Sequence, residues 1–180
     1  MDFRKSVLIM GAGTMGRGIA ELMAFSGFEV QLWDRDPKTL GQASAAVERS
    51  VRRQVDAGRI TDRELDQTLE RVRLISDFRI VHPKTAYVIE AIVEDLEIKR
   101  AVFGAIERVL PDAWFASHTS AIGIERLSTG LKRPERLLGL HFFYPVSVMP
   151  LVEIVYGVHT DEIWVKKAIE LAELELGKKT

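Results

Sequence analysis

"SVLIMGAGTMGRGIAEL" spans Ser6–Leu22. It opens on an apolar run, Val7–Met10, passes through glycines at 11, 13, 16 and 18, and continues in residues suited to a helix. A short apolar run that stops at glycine reads as a buried strand, Ser6–Met10. The helix follows from Thr14 to Ser26 and is closed by Gly27, a C-terminal breaker. Between them, "GAGTMG" (Gly11–Gly16) has the spacing G-x-G-x-x-G. Gly11 permits the tight turn, Gly13 lets the backbone approach a pyrophosphate with no Cβ in the way, and Gly16 lets the helix pack close to the sheet. Ala12, Thr14 and Met15 complete the loop and the first turn, whose free N–H groups and partial positive charge favour an anion. Gly18 adds a second point of close packing. Spacing alone is a weak signal; its place between a strand and a helix makes it a strong one. The alternative is a glycine turn that binds nothing.

"FEVQLWD" (Phe28–Asp34) is the second strand, and Asp34 stands at its end. A carboxylate there accepts hydrogen bonds from an adenosine ribose and repels a 2′-phosphate, which favours NAD over NADP. Arg35 beside it pulls the other way.

The rest of the chain alternates. A helix runs from Pro37 to Gly58, and "TDRE" (Thr61–Glu64) has the capping-box spacing of another. Strands are expected at Arg71–Ser76, Tyr87–Ile92, Trp114–Thr119, Leu137–Phe143 and Leu151–Tyr156. Helices are expected at Asp95–Leu110, Ile124–Thr129 and Asp161–Leu176. The reading is an α/β fold of Rossmann type: a doubly wound, mostly parallel sheet. "YPVSVMP" is too short for a helical crossover, so the last two strands form an antiparallel portion near the end.

Composition limits the function classes. The chain has 180 residues, enough for one domain, with 47% apolar side chains and no cysteine. That excludes disulfides, thiolate chemistry and cysteine–zinc sites. Its 25 basic and 26 acidic side chains give a formal charge of −1, which carries no nucleic-acid footprint. No apolar run approaches the roughly 20 residues that span a bilayer. "MDFRK" leaves no room for a leader, so a cytoplasmic protein is expected.

Three residues stand near the carboxyl ends of strands, where an open parallel sheet places its ligands. Ser120 follows the fifth strand, His141 lies near the end of the sixth, and Glu153 sits within the apolar seventh. A carboxylate among such residues is costly to bury without a partner. If the last two strands pair, Glu153 faces His141, orients the imidazole and stabilises its charged form. Such a histidine can take a hydroxyl proton while hydride leaves the same carbon. Ser120 could hydrogen-bond that oxygen. By residue type alone, a structural histidine is the commoner outcome. His82 and His159 read as structural or solvated, and the histidines do not cluster as metal ligands would.

In this order, "GAGTMGRGIA", "VEDLEIK", "FASHTSAI", "GLHFFYPV" and "MPLVEIV" resemble the NAD-binding domain of L-3-hydroxyacyl-CoA dehydrogenases, the group that includes the 3-hydroxybutyryl-CoA enzymes. The resemblance covers essentially all of residues 1–180. It implies oxidation of the 3-hydroxyl of an acyl-CoA thioester to a ketone with reduction of NAD. It implies His141 as the base, Glu153 as its paired acid and Ser120 as a contact to substrate and nicotinamide. Glu94 and Lys99 are implied to line the cofactor site; by pattern alone they are an acid at a helix start and an exposed lysine. Ser50 matches a serine near the CoA moiety, with Arg49, Arg52 and Arg53 beside it. The family usually has asparagine at the positions of His118 and Tyr144, the second of them near the nicotinamide, and a phenol cannot repeat an amide's hydrogen bonds. The family also continues into a helical second domain that closes the cleft and makes most of a homodimer contact. That domain is expected to be absent here. A related dehydrogenase of non-CoA 3-hydroxy acids and an inactive dinucleotide-binding module remain the alternatives.

Overall fold

The computed structural model describes residues 5–180; Met1–Arg4, on which the expectation of no leader rests, lie outside the described residues. The chain opens on β1 (Ser6–Met10), α1 (Thr14–Phe25), β2 (Glu29–Trp33), α2 (Pro37–Asp56), α3 (Asp62–Glu70), β3 (Val72–Ile75) and β4 (Tyr87–Glu90). It continues with α4 (Leu96–Val109), β5 (Trp114–Ser117), α5 (Ile124–Ser128), β6 (Leu137–Phe142), β7 (Val152–Val155) and α6 (Glu162–Glu170). The strands form one seven-stranded sheet in the order β3-β2-β1-β4-β5-β6-β7. All neighbours are parallel except β6 and β7, which are antiparallel. That is the doubly wound arrangement, with strand order reversing beside β1.

Burial on both faces explains the apolar run of β1. Val7 and Ile9 point into a cluster with Ile19, Ala20 and Met23 of α1. Leu8 and Met10 point the other way, to Phe103 and Ile106 of α4 and Leu127 of α5. Outside the sheet, α2 and α3 pack on each other through Val47, Val51 and Leu65.

Local chemistry sets the helix ends. The Asp36 carboxylate accepts from the Lys38 and Thr39 N–H groups, with Pro37 as the first helical residue. Thr61 and Glu64 satisfy each other in both directions, closing the capping box of α3. Gly27, at φ +88°, follows the Ser26 cap of α1.

The structure trims most strands by a residue or two at their ends. The last helix differs in kind. It changes at Leu171 into a π-helical turn, Leu171–Glu175, which brings Leu176 onto the same buried side as Leu171 and Ala172. An α-helix would set Leu176 about 140° round the axis from Leu171, whereas here its N–H donates to the Leu171 carbonyl. The Lys178 ammonium then donates to the carbonyls of Val146 and Met149, at 2.8 and 2.7 Å, tying the last residues to the β6–β7 loop.

The tightest contact lies between β1 and α1. Gly11 turns the chain at φ +109°, and its carbonyl sits 1.8 Å from where a Cβ on Gly16 would be. Both atoms are held by backbone, so neither can give way. Gly16→Ala is therefore expected to destabilise the protein by about 3 kcal/mol or more, read as a lower midpoint in denaturant unfolding.

Candidate active site

The carboxyl ends of β1, β2, β4, β5 and β6 share one edge of the sheet, and every candidate except Ser50, Lys99 and Glu153 comes from that edge or from the segments leaving it. The glycine loop leaves β1. Cβ atoms on Gly11 or Gly16 would strike backbone, whereas one on Gly13 would meet nothing within 4 Å. Gly13 therefore opens onto free space at the N-terminus of α1, the cradle that a pyrophosphate fills. Asp34 closes the neighbouring strand. Its Oδ2 accepts from the Ala12 N–H at 2.8 Å and its Oδ1 from the Asp36 N–H at 2.9 Å. A carboxylate has about four acceptor positions, so capacity remains for ribose hydroxyls. A cleft of about 220 Å³ runs beside it, lined by Gly13, Trp33, Asp34, Arg35, Ile92 and Val93 among others. Its apolar walls and single acid suit an adenosine.

Glu94, Lys99 and the segment before Ser120 form one network. Lys99 is no exposed helix lysine: it is 1% exposed, because α4 turns this face toward the ends of β4 and β5. Its ammonium lies 2.5 Å from Glu90 and 3.2 Å from Glu94. Glu90, the last residue of β4, is fully buried and also accepts from the Ser117 hydroxyl and the Ile92 N–H. Glu94 accepts from the Thr119 hydroxyl and the Ala121 N–H. Burial pushes the Glu94 carboxyl up, but the Thr119 hydroxyl and the Lys99 ammonium together hold it below its ordinary value. Ser120 is held between Thr119 and Ala121 and is exposed. Pattern reading missed Glu90, whose signal was a charge inside an otherwise apolar strand.

His141 and Glu153 stand directly opposite each other in the antiparallel ladder, and His141 Nδ1 lies 2.8 Å from Glu153 Oε2. The expectation of a buried carboxylate needs correction. β7 is the edge strand, and the Glu153 side chain is 54% exposed, against 22% for His141. The pair meets on the open side of the sheet, where Glu153 keeps part of its hydration. With Nδ1 engaged, Nε2 is the nitrogen left to meet a substrate. His141 is also held by rings: His118 lies nearly parallel at 5.2 Å and Phe143 meets it edge-on at 4.8 Å.

Ser50 and Tyr144 come together from distant parts of the chain. Both line a cleft of about 450 Å³ between α1, α2 and the β6–β7 loop, with Arg17, Arg49 and Arg53. Tyr144 is 68% exposed. Gly18 makes the cleft possible, since a Cβ there would lie 2.9 Å from Val146. Glu21, a buried acid on α1, faces the same cleft; burial pushes its carboxyl up, partly offset by the Ser50 hydroxyl and Arg53. Among the described residues no group of three or more His, Asp or Glu side chains could hold a metal, and no helix is long and apolar enough to cross a membrane.

A doubly wound sheet with a glycine cradle, an acid closing β2 and a His–Glu pair at its carboxyl edge defines a nicotinamide-dinucleotide dehydrogenase domain. Residues 6–180 match the family described as "3-hydroxyacyl-CoA dehydrogenase, NAD binding domain", and the chain belongs to it. NAD is the cofactor of this fold. A 3-hydroxybutyryl-CoA dehydrogenase of Mycobacterium tuberculosis is 40% identical over 179 residues, 98% of this chain and 62% of that protein. A 3-hydroxyadipyl-CoA dehydrogenase of Escherichia coli K12 is 37% identical over 97% of this chain and 36% of its own length. The crystal structure of M. tuberculosis FadB2 superposes with a TM-score of 0.93 at 40% identity, covering 97% of this chain and 62% of that one. The chain thus spans less than two thirds of each of these relatives.

Two outcomes follow from the geometry. Gly13→Ala should leave the melting temperature unchanged but raise the NADH Kd about tenfold or more, read by fluorescence titration, because only the cofactor meets the new methyl. Glu21 retains its proton more readily in the folded state than at its ordinary value of 4.5, so it loses stability as pH rises through and above that value. Glu21→Gln should therefore raise the melting temperature by roughly 2–4 °C at pH 7, with the gain vanishing below about pH 4.5.

Proposed function

We propose that this protein transfers hydride between NAD and C3 of an L-3-hydroxyacyl-CoA, residues 1–180 being the cofactor-binding domain. The observation that carries the reading is the His141–Glu153 pair, set in register at the same sheet edge as the glycine cradle. The two relatives named above act on 3-hydroxyacyl-CoA thioesters by their names, which supports the substrate class.

Held at the Gly11–Gly16 loop and Asp34, NAD would supply the hydride acceptor for C3 in the oxidative direction. His141 Nε2 removes the proton of the 3-hydroxyl. Glu153, at 2.8 Å from Nδ1, orients the ring and stabilises the imidazolium that forms. The Ser120 hydroxyl donates to the same oxygen as it becomes a carbonyl. Glu94 and Lys99 hold the Ser120 turn against the cofactor cleft through Thr119 and Glu90. The CoA portion lies along the arginine-lined cleft, with Ser50, Arg49 and Arg53 meeting its phosphates; arginine suits phosphate through paired N–H donors. Tyr144 sets the wall between this cleft and the nicotinamide and acts through contact rather than through an amide.

The test is NADH absorbance at 340 nm after addition of acetoacetyl-CoA, a probe fixed by the coenzyme's own chromophore. The expected result is a fall that needs both components. His141→Gln should lower kcat by about 10² to 10⁴ and leave the NADH Kd unchanged. Turnover that survives in His141→Gln would remove His141 from this role.

A further inference from the structure

β6 runs three residues, Leu140, His141 and Phe142, past its last partner in β5. The last ladder pair is Ser117 with Gly139, so Leu140 O and Phe142 N face the place where β5 would have continued. His118 fills it with a side chain. Its Nδ1 lies 3.3 Å from Leu140 O and 3.2 Å from Phe142 N. One ring nitrogen cannot donate to the carbonyl and accept from the N–H at the same time. An asparagine amide, the residue that the family resemblance puts here, would serve both. Histidine gives up one of these hydrogen bonds and gains a ring, and that ring lies against His141 at 5.2 Å and 20° from parallel.

We propose that His118 is a positioning residue for the proton-transfer histidine: its neutral ring braces the His141 imidazole with Nε2 turned outward, and its protonation disrupts that brace. The proposal rests on the reading of His141 given above. Several charged groups face the pair. Glu153 on β7 bonds to His141, Lys99 on α4 and Glu94 before it act on His118, and His118's own backbone N–H donates to Glu90 O on β4 at 2.7 Å. Burial first, and then the charge of His141 and of Lys99, hold the His118 imidazole below its ordinary 6.5. The Leu140 carbonyl and Glu94 oppose this but do not reverse it. His118 is therefore neutral, with Nδ1 accepting from Phe142 and the proton on Nε2. A proton taken by His118 at lower pH puts a charge against the His141 ring and removes the acceptor from Phe142.

The test is a pH titration of the histidine ring nitrogens by long-range ¹H–¹⁵N NMR on the 180-residue chain, which needs no substrate. The expected wild-type result is an Nε2–H tautomer for His118 at pH 7. The His141 ring signals should shift at the inflection of His118. His118→Asn should remove that shift. His118→Phe keeps a ring without a nitrogen and should do the same, which covers the case in which the asparagine variant does not fold. His141 signals that do not respond at the inflection of His118 in the wild type, or a His118 already charged at pH 7, would overturn the proposal. The second readout is the pH profile of kcat/KM for ketone reduction. The acid limb should move to lower pH in His118→Asn, and an unmoved limb would overturn the positioning role. Loss of turnover in His141→Gln tests the underlying reading by itself, so the two can fail separately.

Discussion

Much of this molecule depends on one approach of backbone to backbone. Gly16 has no side chain, and the Gly11 carbonyl occupies the space that a Cβ would need. This fixes the start of α1 against the end of β1 and aims its free N–H groups across Gly13. The Ala12 N–H is turned toward β2, where Asp34 accepts it. Two residues along, Gly18 lets Val146 of the β6–β7 loop pack on the same helix. The glycine cradle, Asp34 and the loop between β6 and β7 are thus positioned from the start of α1.

The charged network behind Ser120 works under a different constraint. Glu90 and Lys99 lie fully inside the protein, where an unpaired charge would be costly. Such a set is tolerated only when every member is bonded, and removing one partner typically costs about 3–5 kcal/mol. Glu90 accepts from Lys99, Ser117 and Ile92, and Glu94 from Thr119, Ala121 and Lys99. Few alternative arrangements satisfy all of these, so the turn after β5 is held in one conformation. The rigidity of this turn comes from buried charge.

His141 and Glu153 make the opposite compromise. Glu153 sits on the edge strand, 54% exposed, and His141 on the strand beside it, 22% exposed, so the ion pair contributes little to stability. What the pairing supplies is orientation: antiparallel register sets the two Cα atoms opposite, and the bond at Nδ1 frees Nε2. His118 and Phe143 limit the ring's freedom without enclosing it.

The strand–helix alternation, the glycine cradle, the helix caps and the antiparallel end could all be read from residue order, because each depends on neighbours within a few positions. The same holds for the opposition of His141 and Glu153, which follows once a short connection forces two strands to pair. Burial could not be read this way. Lys99 looked like a surface lysine because nothing in its helix pattern shows which face meets β4, and Glu153 looked buried because nothing in "LVEIV" marks an edge strand. The meeting of Ser50 with Tyr144, and of His118 with His141, joins residues far apart in the chain. Sequence by itself determined the elements, the cradle and the candidate groups, through local sterics and hydrogen bonding. Only the tertiary structure decided which charges are enclosed and which rings touch, because burial is a property of how the layers stack.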